Sequence, residues 1–326
     1  VWESDPDALV TRGAMETPEQ YTPGVPLEGA WEGNLTMGTQ WQYRGTNETY
    51  KSGTELINTL VETRAKGGNL LLNIGPRPDG LIPVEQEARL QEIALWNLVN
   101  REAILAVRPW VVTHEGDIWF TKAKDEATVY AVVTRTDWAW GTEKSFTLQS
   151  VRATAESEVS VLGQNDWVLE YRPEVEPRTS FEQTPDGLRI TAWRAQRLYN
   201  DRRWPNPVVL KLTNVEPGLI PPVVVTGEGR WDAEGRTATL AARLDSLGDA
   251  SSVQVGFEYR RKKDTAEMYE ADDPWKALET TGQSDEGPFE ARLSGADPSR
   301  DYEFRAVAEH PKMTFRGQVT TLERAR

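Results

Sequence analysis

Residues 11 to 50 concentrate side chains suited to chemistry on a sugar: Arg12, Glu16, Glu19, Trp31, Glu32, Trp41, Tyr43 and Glu48. Breaking a glycosidic bond needs one carboxylate to attack or to activate water. A second carboxylate, its pKa raised, protonates the departing oxygen. Four of these residues are glutamates, beside an arginine fork and the flat faces of indole and phenol rings that can wall a pocket. Residue types alone do not choose among the glutamates.

Other chemistries are poorly supplied. The 326 residues contain no cysteine, which excludes thiolate nucleophiles, disulfide frameworks and cysteine-based zinc sites. Only His114 and His310 are present, far apart, and each reads as a strand or loop residue rather than a proton shuttle. No histidine and carboxylate cluster has ligand spacing, so neither a metal nor another cofactor is implied. With 51 acidic against 37 basic residues the net charge is -14, which repels phosphate backbones and argues against nucleic acid as a partner. No run reaches the ~18 apolar residues that span a bilayer, so no membrane partner is expected. Composition is otherwise that of a folded globular chain, with a length that suits about two domains, or three small ones.

The elements that must position these groups follow a βα grammar up to about residue 110. Ala8-Leu9-Val10 is a short apolar run, and Asn69-Leu70-Leu71-Leu72-Asn73-Ile74 reads as a fully buried parallel strand. Between them Ser52 and Glu55 form a capping box for a helix with apolar face Leu56, Ile57, Leu60 and Val61, stopped by Gly67-Gly68. Pro83 opens a second helix with stripe Leu90, Ile93, Ala94, Asn97 and Leu98. Residues 11–50 read as loop. In a βα-barrel such loops, leaving the C-terminal strand ends, build the active site.

From Trp110 to about Asn214 the pattern has period two. Strands are expected at Ile118-Trp119-Phe120, Thr128 to Val133, Phe146-Thr147-Leu148, Trp167-Val168-Leu169, Leu188-Arg189-Ile190 and Val208-Val209-Leu210, as in a β-sandwich. Glu216-Pro217-Gly218-Leu219-Ile220-Pro221-Pro222 reads as a linker, because proline lacks a donor and constrains its neighbour. Beyond it Val253, Val255, Phe257 and Tyr259 share one strand face, and Tyr302, Phe304, Ala306 and Ala308 another. The expected architecture is α/β then all-β: a barrel part over 1–109, a β-sandwich over 110–216, and a second small sandwich over 217–326. This last resembles a fibronectin type III module or a carbohydrate-binding one.

Several motifs are similar to glycoside hydrolase family 29, the α-L-fucosidases. They are Pro6-Asp7-Ala8-Leu9-Val10-Thr11-Arg12, Glu16-Thr17-Pro18-Glu19-Gln20, Trp31-Glu32, Thr36-Met37, Trp41-Gln42-Tyr43, and Lys66-Gly67-Gly68-Asn69-Leu70-Leu71-Leu72-Asn73-Ile74-Gly75-Pro76 with Asp79-Gly80. The resemblance covers residues 6–110. It implies a (β/α)8-type barrel and retaining hydrolysis of terminal α-L-fucose from a fucosylated oligosaccharide or glycoconjugate. Glu19 matches the family's acid/base, with Glu48 the second choice. Arg12 matches an arginine that contacts the sugar and Trp41 an aromatic against the fucose methyl. Tyr43 falls in the same aromatic stretch, and Trp31 and Glu32 read chiefly as scaffold. Gln42 stands where the family has glycine, and Thr11 where it has Asn or Asp. The family's nucleophile, an aspartate in a Trp-x-Asp segment, has no counterpart here: Trp2-Glu3-Ser4-Asp5 has the wrong spacing. The chain therefore reads as the C-terminal part of a fucosidase. A glycan-binding or scaffolding module without catalysis is the competing reading.

Overall fold

The computed structural model describes residues 15–27, 29–124, 126–134, 138–165, 167, 169, 171–195, 206–264 and 272–325. The run Ala8-Leu9-Val10 and the candidate Arg12 lie outside them. The regular structure among the described residues is mostly β-strand, with two α-helices. The chain divides into two compact units, Val1–Gly218 and Leu219–Arg326.

The first unit opens with three parallel strands, β1 (Met15–Glu16), β2 (Ala30–Thr36) and β3 (Asn69–Asn73), in that spatial order. Helix α1 (Gly53–Ala65) links β2 to β3, and α2 (Val84–Asn100) follows β3. Both halves of the expected capping box form: Ser52 Oγ accepts from the Glu55 amide and the Glu55 carboxylate accepts from the Ser52 amide. At the other end Gly67 adopts φ 85° and donates to Arg64 O, while Gly68 N donates to Thr63 O. That pair of bonds is a Schellman motif, which needs a left-handed residue at Gly67.

Three local expectations need correction. Residues 30–36 form a strand rather than loop: Trp31, Gly33 and Leu35 are buried while Glu32 and Asn34 are half-buried. Half of this period-two pattern is polar, which disguised it. Strand β3 is not fully buried. Leu71 is 49% exposed, because β3 is the sheet edge and α1 covers one face. In α2 the inward face is Gln86, Ile93, Trp96 and Asn100, whereas Leu98 is 68% exposed and Ala94 is also outside. Trp96 decides this rotation, since its ring packs with Ile57 and Val61 and its Nε1 donates to Pro207 O at 2.8 Å.

Antiparallel strands make up the rest of the unit: β4 (Val107–Glu115), β5 (Ile118–Ala123), β6 (Thr128–Val133), β7 (Glu143–Leu148), β8 (Val151–Val161), β9 (Ser180–Thr184), β10 (Gly187–Trp193) and β11 (Val208–Pro217). They build a five-stranded sheet ordered β4-β5-β6-β11-β8 and a three-stranded one ordered β7-β10-β9. Trp167-Val168-Leu169 does not supply a strand among the described residues; Leu169 makes only an isolated bridge to Arg172. Glu216 and Pro217, read as linker, end β11 and pair with Arg152 and Val151. Proline is tolerated there because β6 pairs only as far as Thr213, so Pro217 has one neighbouring strand and no second ladder to donate to.

The second unit holds β12 (Val223–Trp231), β13 (Thr237–Ser246), β14 (Val253–Arg261), β15 (Lys276–Ala277), β16 (Thr281–Gln283), β17 (Gly287–Ser294), β18 (Tyr302–Glu309), β19 (Thr314–Arg316) and β20 (Thr320–Leu322). One sheet is β12-β13-β17, and the other centres on β14 and β18. The two expected strand faces meet in one core, where Val255, Phe257, Phe304 and Ala306 pack with Leu240 and Leu244.

Candidate active site

Three parallel strands put their C-terminal ends, and whatever follows them, on one side. A parallel bridge joins Glu19 to Asn34, continuing the offset of Met15 with Ala30 and Glu16 with Trp31. Asn34 N donates to Pro18 O at 2.8 Å and Gln20 N donates to Asn34 O at 2.9 Å, so β2 fixes the backbone on both sides of Glu19. Asn34 in turn pairs with Leu71. Trp31, Gly33 and Leu35 face α1, since Trp31 Nε1 donates to Lys66 O at the helix C-cap and Gly68 lies against the indole. Alternation then places Glu19, Asn34 and Leu71 in one row on the opposite, uncovered face. Glu19 is exposed there.

The loop after β2 closes over the same strand ends. Asn73, the last residue of β3, donates to Trp41 O at 2.6 Å, and Lys51 Nζ donates to Thr36 O at 2.5 Å. Gly75 N donates to Gln86 Oε1 at 3.0 Å, and a Cβ at Gly75 would stand 2.7 Å from Tyr43 N. Trp41 and Tyr43 are both half-buried on this loop, leaving part of each side chain open to solvent. Trp31 is 2% exposed, and its indole is a packing element of the α1 side.

Glu48 is held as a loop clamp. Its Oε1 accepts from Thr39 N and Thr39 Oγ1, both at 2.8 Å, and from Thr49 N at 3.0 Å. Desolvation opposes ionisation, but those hydrogen bonds, helped by Arg44, outweigh it and hold the carboxyl below its ordinary range. A proton donor poised for neutral pH shows the reverse shift. Lys51, partly buried, has its ammonium pKa pushed down by desolvation, against the opposing charges of Glu55 and Glu48.

Three residues without an assigned role in the sequence reading hold the segments around Glu19 together. Lys66, 4% exposed, donates from Nζ to Pro23 O at 2.6 Å and to Glu62 Oε1 at 2.5 Å, anchoring the segment between Glu19 and β2. Gln20 and Thr36 bond to each other. The available signal was polar residues inside recognised motifs, Thr36 beside Met37 and Lys66 before the glycine pair. Neither histidine joins the site: His114 stacks on Trp119 at 4.6 Å, and His310 contacts Asp249 at 3.0 Å. Among the described residues no group of three or more His, Asp or Glu is arranged to hold a metal ion.

Comparison with known proteins finds alpha-L-fucosidases similar to this end of the chain. Residues 2–102 match the family model described as Alpha-L-fucosidase. The plasma alpha-L-fucosidase of Rattus norvegicus is 38% identical over 152 residues, covering 44% of this chain and 32% of that protein. An alpha-L-fucosidase of Dictyostelium discoideum is 40% identical over 118 residues, covering 35% of this chain and 26% of that protein. Among solved structures, the alpha-L-fucosidase from Vibrio sp. strain EJY3 is 20% identical with a TM-score of 0.49, over 85% of this chain and 53% of that one. The chain thus spans about a third or less of these two curated relatives. Its resemblance to the C-terminal part of glycoside hydrolase family 29 α-L-fucosidases, drawn above from motifs, is established over this stretch.

Proposed function

We propose that the chain is the C-terminal part of a retaining exo-α-L-fucosidase acting on terminal fucose of oligosaccharides or glycoconjugates. In this reading β1, β2 and β3 are the last parallel strands of a (β/α)8-type barrel over residues 1–109. A β-sandwich over 110–216 supports it, and a fibronectin type III-like or carbohydrate-binding sandwich over 217–326 follows. Glu19 is the acid/base. It protonates the leaving oxygen while an aspartate attacks the anomeric carbon, then takes a proton from the water that releases the sugar. The aspartate comes from sequence this chain does not contain.

Arg12 and Trp41 contact the fucose, with the indole against the methyl group, and Tyr43 extends the aromatic wall. Glu48, whose Oε1 accepts from Thr39 and Thr49, shapes the loop that carries Trp41 and Tyr43, and Trp31 is scaffold. The observation that carries this reading is the parallel bridge that seats Glu19 at the C-terminal strand ends, inside the stretch that matches the family. The test is release of 4-nitrophenol from its α-L-fucoside by the full-length protein. Glu19→Gln should lower turnover by ~100-fold or more, as loss of a general acid does. An unchanged rate removes Glu19 from the mechanism.

A further inference from the structure

We propose that Thr36 is a positioning residue whose hydroxyl locks the proton donor Glu19 to the loop bearing Trp41. The proposal rests on the reading of Glu19 as acid/base. Thr36 closes β2 and is 1% exposed. Its hydroxyl donates to Gly38 O at 2.6 Å and accepts from Gln20 Nε2 at 3.2 Å. Its carbonyl accepts from Lys51 Nζ at 2.5 Å, and Lys51 N donates to the neighbouring Met37 O at 2.8 Å. One buried residue therefore ties together the Glu19 segment, the start of the Trp41 loop and the approach to α1.

The Gln20 contact matters because Gln20 has φ 63°, a left-handed backbone that a side chain larger than glycine adopts only when its surroundings hold it there. Backbone bonds from Asn34 fix the height of Glu19 along the strand. The side-chain bond between Gln20 and Thr36 links its segment to the other wall. Gly38 is equally constrained: a Cβ there would stand 2.7 Å from Glu48 Oε1, so the carbonyl that Thr36 grips belongs to a tightly packed turn. Valine has the shape of threonine and a strong strand preference. Exchanging the two replaces the hydroxyl with a methyl group and keeps the rest of the side chain.

The experiment compares leaving groups in the full-length protein. Phenyl α-L-fucoside needs protonation of its leaving oxygen, whereas 2,4-dinitrophenyl α-L-fucoside does not. Thr36→Val should lower kcat/KM about 10- to 100-fold more on the phenyl than on the dinitrophenyl substrate, the loss expected for displacement of about 1 Å. Thr36→Ser should restore the ratio. Gln20→Met, which leaves Thr36 in place, should reproduce the same signature if Thr36→Val proves unstable in a thermal melt. Equal losses on both substrates, or no change in the ratio for either folded variant, overturn the proposal. Glu19→Gln run alongside separates the two readings: if it too is indifferent to the leaving group, the acid assignment fails and the proposal falls with it.

Discussion

Replacing Gly68 by alanine tests whether the glycine pair serves packing rather than ligand contact. An added Cβ would stand 2.3 Å from Trp31 Cε2 and 2.4 Å from Cζ2. The indole has no room to yield, being 2% exposed and bonded through Nε1 to Lys66 O. Overpacking of this kind costs about 1–3 kcal/mol, and a weakened indole bond adds about 1. We therefore expect a loss of roughly 2–4 kcal/mol in the first unit. Urea unfolding followed by tryptophan fluorescence measures it, with amide exchange of β2 confirming where the loss falls. Gly80→Ala is the control: its φ of 82° is strained for alanine, but nothing lies within 4 Å. It should lose only about 1–2 kcal/mol through the backbone. Adding Trp31→Leu to Gly68→Ala should recover part of the loss, since the two substitutions share one contact. A Gly68→Ala loss below about 1 kcal/mol, or strict additivity with Trp31→Leu, would refute the packing argument.

Two further outcomes follow from capping and charge. Ser52→Ala removes one side of the capping box and should destabilise the first unit by about 1 kcal/mol, read in the same urea titration. In the second unit Glu258 is held below its ordinary 4.5: burial opposes ionisation, but hydrogen bonds from Arg316 and Arg305 outweigh it. The folded form thus binds a proton less readily than the unfolded one. This stabilisation is complete above about pH 4.5 and is lost as pH falls through the depressed folded value. Unfolding measured from neutral pH down to about 3 should show the second unit weakening, and Glu258→Gln should flatten that slope.

Local grammar was legible in the sequence where one signal decided the outcome. Ser52 with Glu55 announced the start of α1, and Gly67-Gly68 its end. The β-rich run from Thr128 to Val133 marked a strand whose bounds the fold keeps, although all six residues are buried and none of the expected alternation is seen. Legibility failed where long-range partners decided. Trp96 turned α2 because Pro207 and α1 receive its ring, contacts that aliphatic spacing cannot reveal. Ala30–Thr36 looked like loop because Glu32 and Asn34 interrupt its apolar side chains, although alternating residues are what a one-sided strand requires. Within the site, motif resemblance singled out Glu19 and Trp41. The hydrogen bonds that hold their segments, through Thr36, Lys66 and Asn73, depend on strand register and came only from the fold.

The most direct measurement of the role given to Glu19 is azide rescue of Glu19→Gln in the full-length protein. Azide enters on the face that the acid/base normally occupies, so rescue after formation of a glycosyl-enzyme retains the substrate's configuration. The account predicts restored turnover with α-L-fucosyl azide as product. Formation of the β-anomer would make Glu19 the nucleophile, and a variant as active as the parent without azide would leave it no part in the reaction.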